Sequence, residues 1–113
     1  MERNVSDDQL QQSDDQLQQS DNLNQCAMSG RVAGEVRTFA NQSGEVVKVT
    51  FTLAQGEGKQ RFLVECSIPE AIAPARTLRE GDWVMVMAKV FIRASGACGL
   101  RAYVVYKIAP PIN

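Results

Sequence analysis

Residues 79–92 read Arg79-Glu80-Gly81-Asp82-Trp83-Val84-Met85-Val86-Met87-Ala88-Lys89-Val90-Phe91-Ile92. The Gly-Asp pair is a turn signal, and the ten residues that follow favour a strand and include no breaker. Alternate residues of this strand form two unlike faces. One face is small and branched (Val84, Val86, Ala88, Val90), as the interior of a curved barrel requires, and the other is large and soft (Trp83, Met85, Met87, Lys89, Phe91). Because a lysine interrupts large apolar residues, the second face is not a simple solvent face.

Composition places the 113-residue chain among small globular proteins of one domain, with 44% hydrophobic and 22% charged residues. No apolar run approaches the roughly 18 residues of a membrane span. The acidic N-terminus lacks the basic and apolar regions of a signal peptide. Three widely spaced cysteines, Cys26, Cys66 and Cys98, indicate free thiols. We therefore expect a cytoplasmic protein that does not contact a membrane.

Charge is divided unevenly along the chain. Residues 1–25 carry six acidic side chains and one arginine, a net charge of −5. Residues 26–113 carry eleven basic and seven acidic side chains, a net charge of +4. A mildly basic domain beside an acidic segment suggests a polyanionic partner.

The acidic segment contains a repeat: Ser-Asp-Asp-Gln-Leu-Gln-Gln at residues 6–12 recurs unchanged at 13–19. Each repeat has one leucine, whereas a coiled-coil heptad needs two apolar residues, and two repeats are too few for a credible coiled coil. We expect residues 1–25 to be a disordered, acidic, Gln-rich arm. A helix formed with a partner and a coiled coil are the alternatives.

Short strand patterns separated by turn residues begin at residue 28. They predict strands over residues 28–39, 46–53, 60–68, 83–92 and 100–108, with a short helical segment in 70–79 that Pro74 limits. The inward positions predicted in the first three strands are Val32, Val36, Val47, Val49, Phe51, Leu53, Phe62, Val64, Cys66 and Ile68. Gly30 and Gly34 indicate a bulge or sharp curvature in the first strand.

This order predicts an all-β fold: a five-stranded OB-fold barrel over residues 26–113, with a short helical segment between strands three and four, preceded by the disordered arm. Several motifs agree in order and spacing: Met28-x-Gly30-x-Val32-x-Gly34, Ser43-Gly44-x-Val46-Val47, Thr52-Leu53-Ala54, Leu78-Arg79-x-Gly81-Asp82-x-Val84-x-Val86 and Val104-Val105 with Ile108. Over residues 28–109 they resemble the bacterial single-stranded-DNA-binding protein family and its relative, the primosomal replication protein B.

Two departures from that family stand out. The acidic segment is N-terminal, whereas the family usually carries an acidic tail at the C-terminus that recruits partners. The loop between strands two and three is minimal, whereas it is often long in the family. Such trimming is typical of small replication proteins of phages and mobile elements, and it suggests that setting.

Catalysis is not expected. The chain has no histidine, the commonest general base and metal ligand. Gly56-Glu57-Gly58 lacks the Lys-Ser/Thr of a phosphate-binding loop, and the cysteines form no CxxC motif. We predict neither an enzyme nor a bound metal or cofactor.

A single-strand binder needs a cationic groove and flat side chains on which bases stack. In an OB barrel the groove crosses strands two and three, between the first and fourth loops. The predicted nucleic-acid-binding residues are Arg37, Phe39, Lys48, Thr50, Thr52, Lys59, Arg61, Arg93, Arg101 and Tyr103, with Lys89 and Lys107 as further candidates. For any single cation, solubility alone is the alternative.

The large face of strand four predicts an oligomer interface formed by Trp83, Met85, Met87 and Phe91, with base stacking as the alternative. The leading function is sequence-nonspecific binding of single-stranded DNA in replication, recombination or repair, by a dimer or tetramer that serves replication proteins. An OB-fold adaptor that binds a replication protein and an RNA-binding module are the other candidates. We expect the acidic arm to compete with nucleic acid for the basic groove.

Overall fold

The computed structural model describes residues 24–112. Five strands and one short helix occur in this range: β1 (Cys26–Ala40), β2 (Val46–Gln55), β3 (Gln60–Cys66), α1 (Pro69–Ala75), β4 (Trp83–Ile92) and β5 (Cys98–Lys107). The strands close into a barrel in the order β1-β2-β3-β5-β4. Only β3 and β5 pair in parallel. This architecture confirms the predicted five-stranded OB-fold barrel; the predicted arm lies outside the described residues, except for its last two.

The long strand β1 closes the barrel by changing partners. Its first part pairs with β4 up to Arg31, and its second part pairs with β2 from Arg31 onward. The chains approach closely at Gly30, where a Cβ atom would lie 2.5 Å from the carbonyl oxygen of Ala54. At Gly34, φ is 78°, and three residues of β1 oppose one residue of β2. The two glycines therefore mark the curvature and the bulge that the sequence predicted.

The core is built from the inward residues of all five strands. Val84, Val86 and Ala88 of β4 are completely buried, as the alternating pattern predicts. The helix α1 packs Ala71, Ile72 and Ala75 against the same core. Each fully buried aliphatic side chain of valine or leucine size contributes about 1.5–3 kcal/mol, so the barrel interior is the main source of stability.

Two residues predicted to face inward are exposed. Val47 is 42% exposed because β2 bulges there: Lys48 pairs with Phe39, while Val46 pairs with Ala40. This extra residue reverses which side chains of β2 face the core, so Val46 packs against the core in place of Val47. Ile68 is 41% exposed because β3 ends at Cys66, and Ile68 is the N-cap residue of α1. Both predictions are wrong because the strand pattern was extended past the regular part of the ladder.

All three cysteines are free, as the sequence predicts. Burial raises the pKa of the Cys66 thiol to about 12, and the neighbouring Glu65 carboxylate adds to this effect. Cys66 therefore stays protonated near neutral pH. Because only the thiolate is a good nucleophile, this thiol is unreactive under those conditions. Among residues 24–112, no helix has the length and apolar character needed to cross a membrane.

Candidate nucleic-acid interface

A row of polar side chains runs across the outer surface of all five strands. Arg37 of β1 pairs with Thr50 of β2, which pairs with Glu65 of β3. The row continues through Arg101 of β5 to Lys89 of β4. Cross-strand partners share a face of the sheet, and neighbouring strands lie about 4.8 Å apart. Three cations and one carboxylate therefore lie across about 19 Å of surface, which we call the central row.

A second row beside the central row is smaller and more apolar. Thr52 of β2 lies between Ala33 of β1 and Leu63 of β3, and the row continues through Gly99 to Phe91. The two rows form the floor of a shallow cleft next to the β1 bulge, lined by Glu35, Arg37, Thr50, Thr52, Arg61 and Leu63 among others. The structure thus brings four of the predicted binding residues into one cleft. Thr50 is only 8% exposed, so Thr52 is the more accessible hydroxyl.

Phe39 and Lys48 form a pair at the edge of this surface, beside the loop between β1 and β2. They are cross-strand neighbours, and the Lys48 ammonium lies 4.7 Å from the centre of the Phe39 ring. Phe39 is 40% exposed. The ring therefore presents a flat apolar surface beside a positive charge, which suits a nucleobase and its phosphate.

Phe91 and Arg101 form a similar pair at the opposite edge. The guanidinium carbon of Arg101 lies 4.3 Å from the centre of the Phe91 ring, and Arg101 Nε lies 3.7 Å from a Glu65 carboxylate oxygen. The Phe91 ring lies over Gly99, where a Cβ atom would come within 2.6 Å of it. Glycine at this position therefore makes room for the ring. This contact places Phe91 beside the central row, away from the apolar residues with which the sequence grouped it.

Two further arginines flank the hairpin between β2 and β3. Arg31 and Arg61 both pair with Ala54, and a Cβ atom on Gly58 would lie 3.9 Å from each guanidinium. Arg61 Nε also donates a hydrogen bond of 3.1 Å to the Gly58 carbonyl. Lys59 is exposed in the same hairpin loop. Arg31 was missed as a binding candidate because its spatial neighbour, Arg61, is thirty residues away in the sequence.

The other predicted binding residues lie away from the main cleft. Arg93 is exposed at the start of the loop between β4 and β5, where its backbone bonds with Ala97 and Gly96. Tyr103 is an extra residue in β5, because Ala102 pairs with Ala88 and Val104 with Met87. It is half-buried in a second cleft with Lys89 and Arg101. Lys107 lies at the far end of β5, with its ammonium 3.5 Å from Asp82.

The large residues of β4 form a separate apolar face. Met85 pairs with Tyr106, and Met87 pairs with Val104. Met87 and Tyr106 are 37% and 49% exposed, and Trp83 and Met85 are half-buried. On the other side, β1 contributes Ala27 and Ser29 opposite the two methionines. We call Trp83, Met85, Met87, Val104 and Tyr106 the apolar face; it includes three of the four residues predicted for the oligomer interface.

No protein-family model and no curated protein matches the chain. Solved structures of single-stranded DNA binding proteins are similar. The Thermus aquaticus protein has a TM-score of 0.67 and 20% identity, covering 80% of this chain but only 43% of its own. The SSB domain of a Synechococcus protein has a TM-score of 0.64 and 15% identity, covering 74% and 94% of the two chains. The small Streptomyces coelicolor protein has a TM-score of 0.58 and 20% identity, covering 74% and 91%.

These similarities confirm the fold that the sequence motifs suggested, a barrel of the type found in single-stranded-DNA-binding proteins. At 20% identity or less they establish the fold, and the role of each side chain rests on the geometry described above. The phage or mobile-element setting stays a prediction.

Proposed function

We propose that the protein binds single-stranded DNA without sequence preference along the cationic face, defined as the central row together with the Phe39–Lys48 pair, Phe91, Arg31 and Arg61. The observation that carries this proposal is the placement of an aromatic–cation pair on either side of one cationic cleft, with the Phe39 ring exposed and the Phe91 ring half-buried. Cations follow the phosphates, while aromatic rings stack on bases of any sequence. The similar structures are those of single-stranded DNA binding proteins, which supports the same ligand class.

Within this proposal the side chains have distinct roles. Arg37 and Arg61 lie on the cleft and neutralise phosphates, and Thr52 donates a hydrogen bond to phosphate or sugar. Phe39 stacks a base at one edge, where its ring is exposed. Phe91 stacks a base at the other edge once Arg101 turns from the ring toward a phosphate. The exposed cations Lys59 and Arg93 extend the path at the loops.

The apolar face suits a second copy of the same chain. It presents large residues without a charged member, and a dimer about a two-fold axis would place two such faces against each other. Burial would contribute about 25 cal/mol per Å² of apolar area before association costs. We therefore propose a homo-oligomer, most simply a dimer, whose two cationic faces remain open to DNA.

This assignment describes a binding protein of the cytoplasm that uses no cofactor and serves DNA replication, recombination or repair, together with replication proteins. Its three free cysteines agree with a reducing compartment. The apolar face also fits the alternative of an adaptor whose partner is another protein.

The test compares three labelled ligands by fluorescence anisotropy: oligo-dT, oligo-rU and a duplex of the same length. We expect oligo-dT to bind more tightly than the duplex, since only unpaired bases can stack on Phe39 and Phe91. Equal affinity for the duplex would overturn the single-strand assignment. Tighter binding of oligo-rU would favour an RNA module, and the absence of nucleic-acid binding would favour the adaptor.

A further inference from the structure

The central row carries one carboxylate, and it lies beside the Phe91–Arg101 pair. Glu65 of β3 is the cross-strand neighbour of Arg101 in β5, and its side chain is 20% exposed. A carboxylate repels phosphates, so Glu65 lowers the affinity of the cationic face for any DNA backbone. Because a carboxylate only accepts hydrogen bonds, its position suits a different partner, a group that donates them.

The guanidinium of Arg101 shows the shape of such a partner. Its carbon lies 4.3 Å from the centre of the Phe91 ring, and its Nε lies 3.7 Å from a Glu65 oxygen. One flat group thus lies over an aromatic ring and presents a nitrogen donor to a carboxylate. The 3.7 Å separation exceeds the length of a hydrogen bond, and the Arg101 side chain is 59% exposed, so the contact is loose and another flat donor can replace it.

A nucleobase fits the place that the guanidinium occupies. The two contacts of Arg101, joined by one C–N bond, bring the Phe91 ring centre and the Glu65 oxygen within about 9 Å of each other. Stacked rings with centres about 4.5–7 Å apart, followed by a hydrogen bond of about 2.9 Å, span this distance. Leu63, half-buried across from Gly99, continues the apolar floor between the ring and the carboxylate.

Guanine reproduces the donor edge of a guanidinium more completely than the other bases do. Its N1–H and its 2-amino N–H lie side by side on one N–C–N unit, so both can donate to the two oxygens of a carboxylate. Cytosine and adenine place a ring-nitrogen acceptor beside the amino group, and thymine has one N–H between two carbonyl groups. Those acceptors would face the carboxylate and be repelled by it. Unpaired bases in a single strand expose this edge.

We propose that Phe91 and Glu65 form a guanine-preferring base site, which Arg101 occupies in the free protein and leaves when DNA binds. Phe91 stacks on the base, Glu65 accepts hydrogen bonds from N1–H and the 2-amino group, and Arg101 turns to a neighbouring phosphate. The site refines the proposed function and rests on it. The preference is confined to one position, because the phosphate contacts and the stack on Phe39 accept any base.

Two matched strands test the site: oligo-dT with one central deoxyguanosine, and the same strand with deoxyinosine in its place. Inosine keeps O6, N7 and N1–H of guanine and lacks only the 2-amino group. In competition against labelled oligo-dT, followed by anisotropy, we expect the guanine strand to bind at least about fivefold more tightly, the lower end of the effect of a bidentate base contact. Equal affinities of the two strands would overturn the guanine preference.

Glu65→Gln should remove the difference between the guanine and inosine strands, since an amide presents one acceptor and one donor group instead of two acceptors. Glu70→Gln removes the same charge at an exposed position of α1 and should keep the difference. If Glu65 only positions Arg101 or repels phosphate, its substitution changes the affinity of both strands by the same factor. A guanine preference that survives Glu65→Gln would therefore overturn the role of Glu65.

A free guanine nucleotide presents the same edge, so dGMP is added as a competitor. A base within a strand is also held by phosphate contacts, so dGMP should displace the guanine strand only at concentrations far above that of the strand. Displacement at equal concentrations would overturn the assignment to DNA. If the guanine and inosine strands bind alike and both outcompete the duplex, the proposed function stands without the guanine site. If neither strand binds, the proposed function fails and the guanine site with it.

Discussion

The outer surface of the barrel has two unlike faces, and β4 contributes to both. Up to Met87, its outward residues belong to the apolar face, whose neighbours are Val104 and Tyr106. From Lys89 onward, its outward residues belong to the cationic face, where Phe91 stacks against Arg101. The lysine that interrupts the large residues in the sequence therefore marks the boundary between the apolar face and the cationic face. A single strand can contribute to two chemically different surfaces when its outward positions change character along its length.

The two faces should respond differently to solution conditions. The phosphate contacts proposed for the cationic face should release counterions and weaken steeply as salt rises. Association through the apolar face depends on buried area and is much less sensitive to salt. Substitutions on each face should therefore separate DNA binding from self-association.

The largest expected effect is on self-association. Met85→Lys would place a charge in the middle of the apolar face, where burial without a partner costs several kcal/mol. We expect the dimer dissociation constant to rise by about a hundredfold or more, as measured by sedimentation at tens of micromolar. Val47→Lys is the matched control, since Val47 is an exposed valine outside the face. If the wild type sediments as a monomer, or if Met85→Lys sediments as the wild type does, the apolar face is not the surface of self-association.

The next effect concerns base stacking at the edge of the cationic face. Phe39→Ala should weaken oligo-dT binding by about 1–3 kcal/mol, roughly 5- to 150-fold, because a ring would no longer stack a base. The fold should survive, since the ring is 40% exposed. Anisotropy titrations measure the loss. Tyr106→Ala is the control, because it removes an exposed aromatic side chain from the apolar face and should leave the oligo-dT affinity of each site unchanged. Equal losses of oligo-dT affinity in the two variants would contradict the assignment of separate faces.

A smaller effect should come from the only carboxylate of the central row. Glu65 holds Arg101 at 3.7 Å and repels phosphate. Glu65→Gln should therefore tighten oligo-dT binding about two- to fivefold, a size typical of partly exposed ion pairs. Glu70→Gln in α1 removes the same charge at an exposed position away from the face and should change little. Weaker binding by Glu65→Gln would mean that Arg101 needs its carboxylate partner to bind DNA.

The smallest effect is a change in thiol reactivity. Cys98 is exposed at the start of β5, next to Gly99 and the Phe91 ring, so oligo-dT bound to the cationic face should slow its alkylation several-fold. Cys66 is the internal control: because its pKa is about 12, it stays protonated and unreactive when the pH rises from 7 to 9, with or without DNA. Peptide mass spectrometry resolves the two sites. Unaltered alkylation of Cys98 at saturating oligo-dT would place the DNA away from this loop.

The sequence predicted the barrel well because its strand pattern is local. The alternation of β4 identified the buried Val84, Val86 and Ala88 directly. The pattern failed at Val47, where a bulge reversed the faces, and at Ile68, where the strand had already ended. A bulge depends on how two strands pair, which neither strand's own sequence reveals.

The candidate site was less accessible to sequence reasoning, because its geometry joins distant residues. Arg37, Thr52 and Arg61 were proposed from outward positions, and they line one cleft. The surroundings of Phe91 depend on Gly99, its cross-strand partner, and on Arg101, which pairs with Lys89 and lies over the ring. That register could not be deduced from the alternation within β4. The pairing of Arg31 with Arg61 likewise requires the closed barrel.

The salt dependence of oligo-dT binding tests the cationic face most directly. If about 3–5 phosphates are neutralised per protomer, log K should fall with log salt with a slope of roughly −2 to −3.5. The double variant Arg37→Ala with Arg61→Ala loses two phosphate contacts and should have a slope shallower by about 1.4, whereas Arg76→Ala, which removes an exposed cation at the end of α1, should keep the wild-type slope. A double variant with the wild-type slope would show that the phosphates bind elsewhere and would contradict this account.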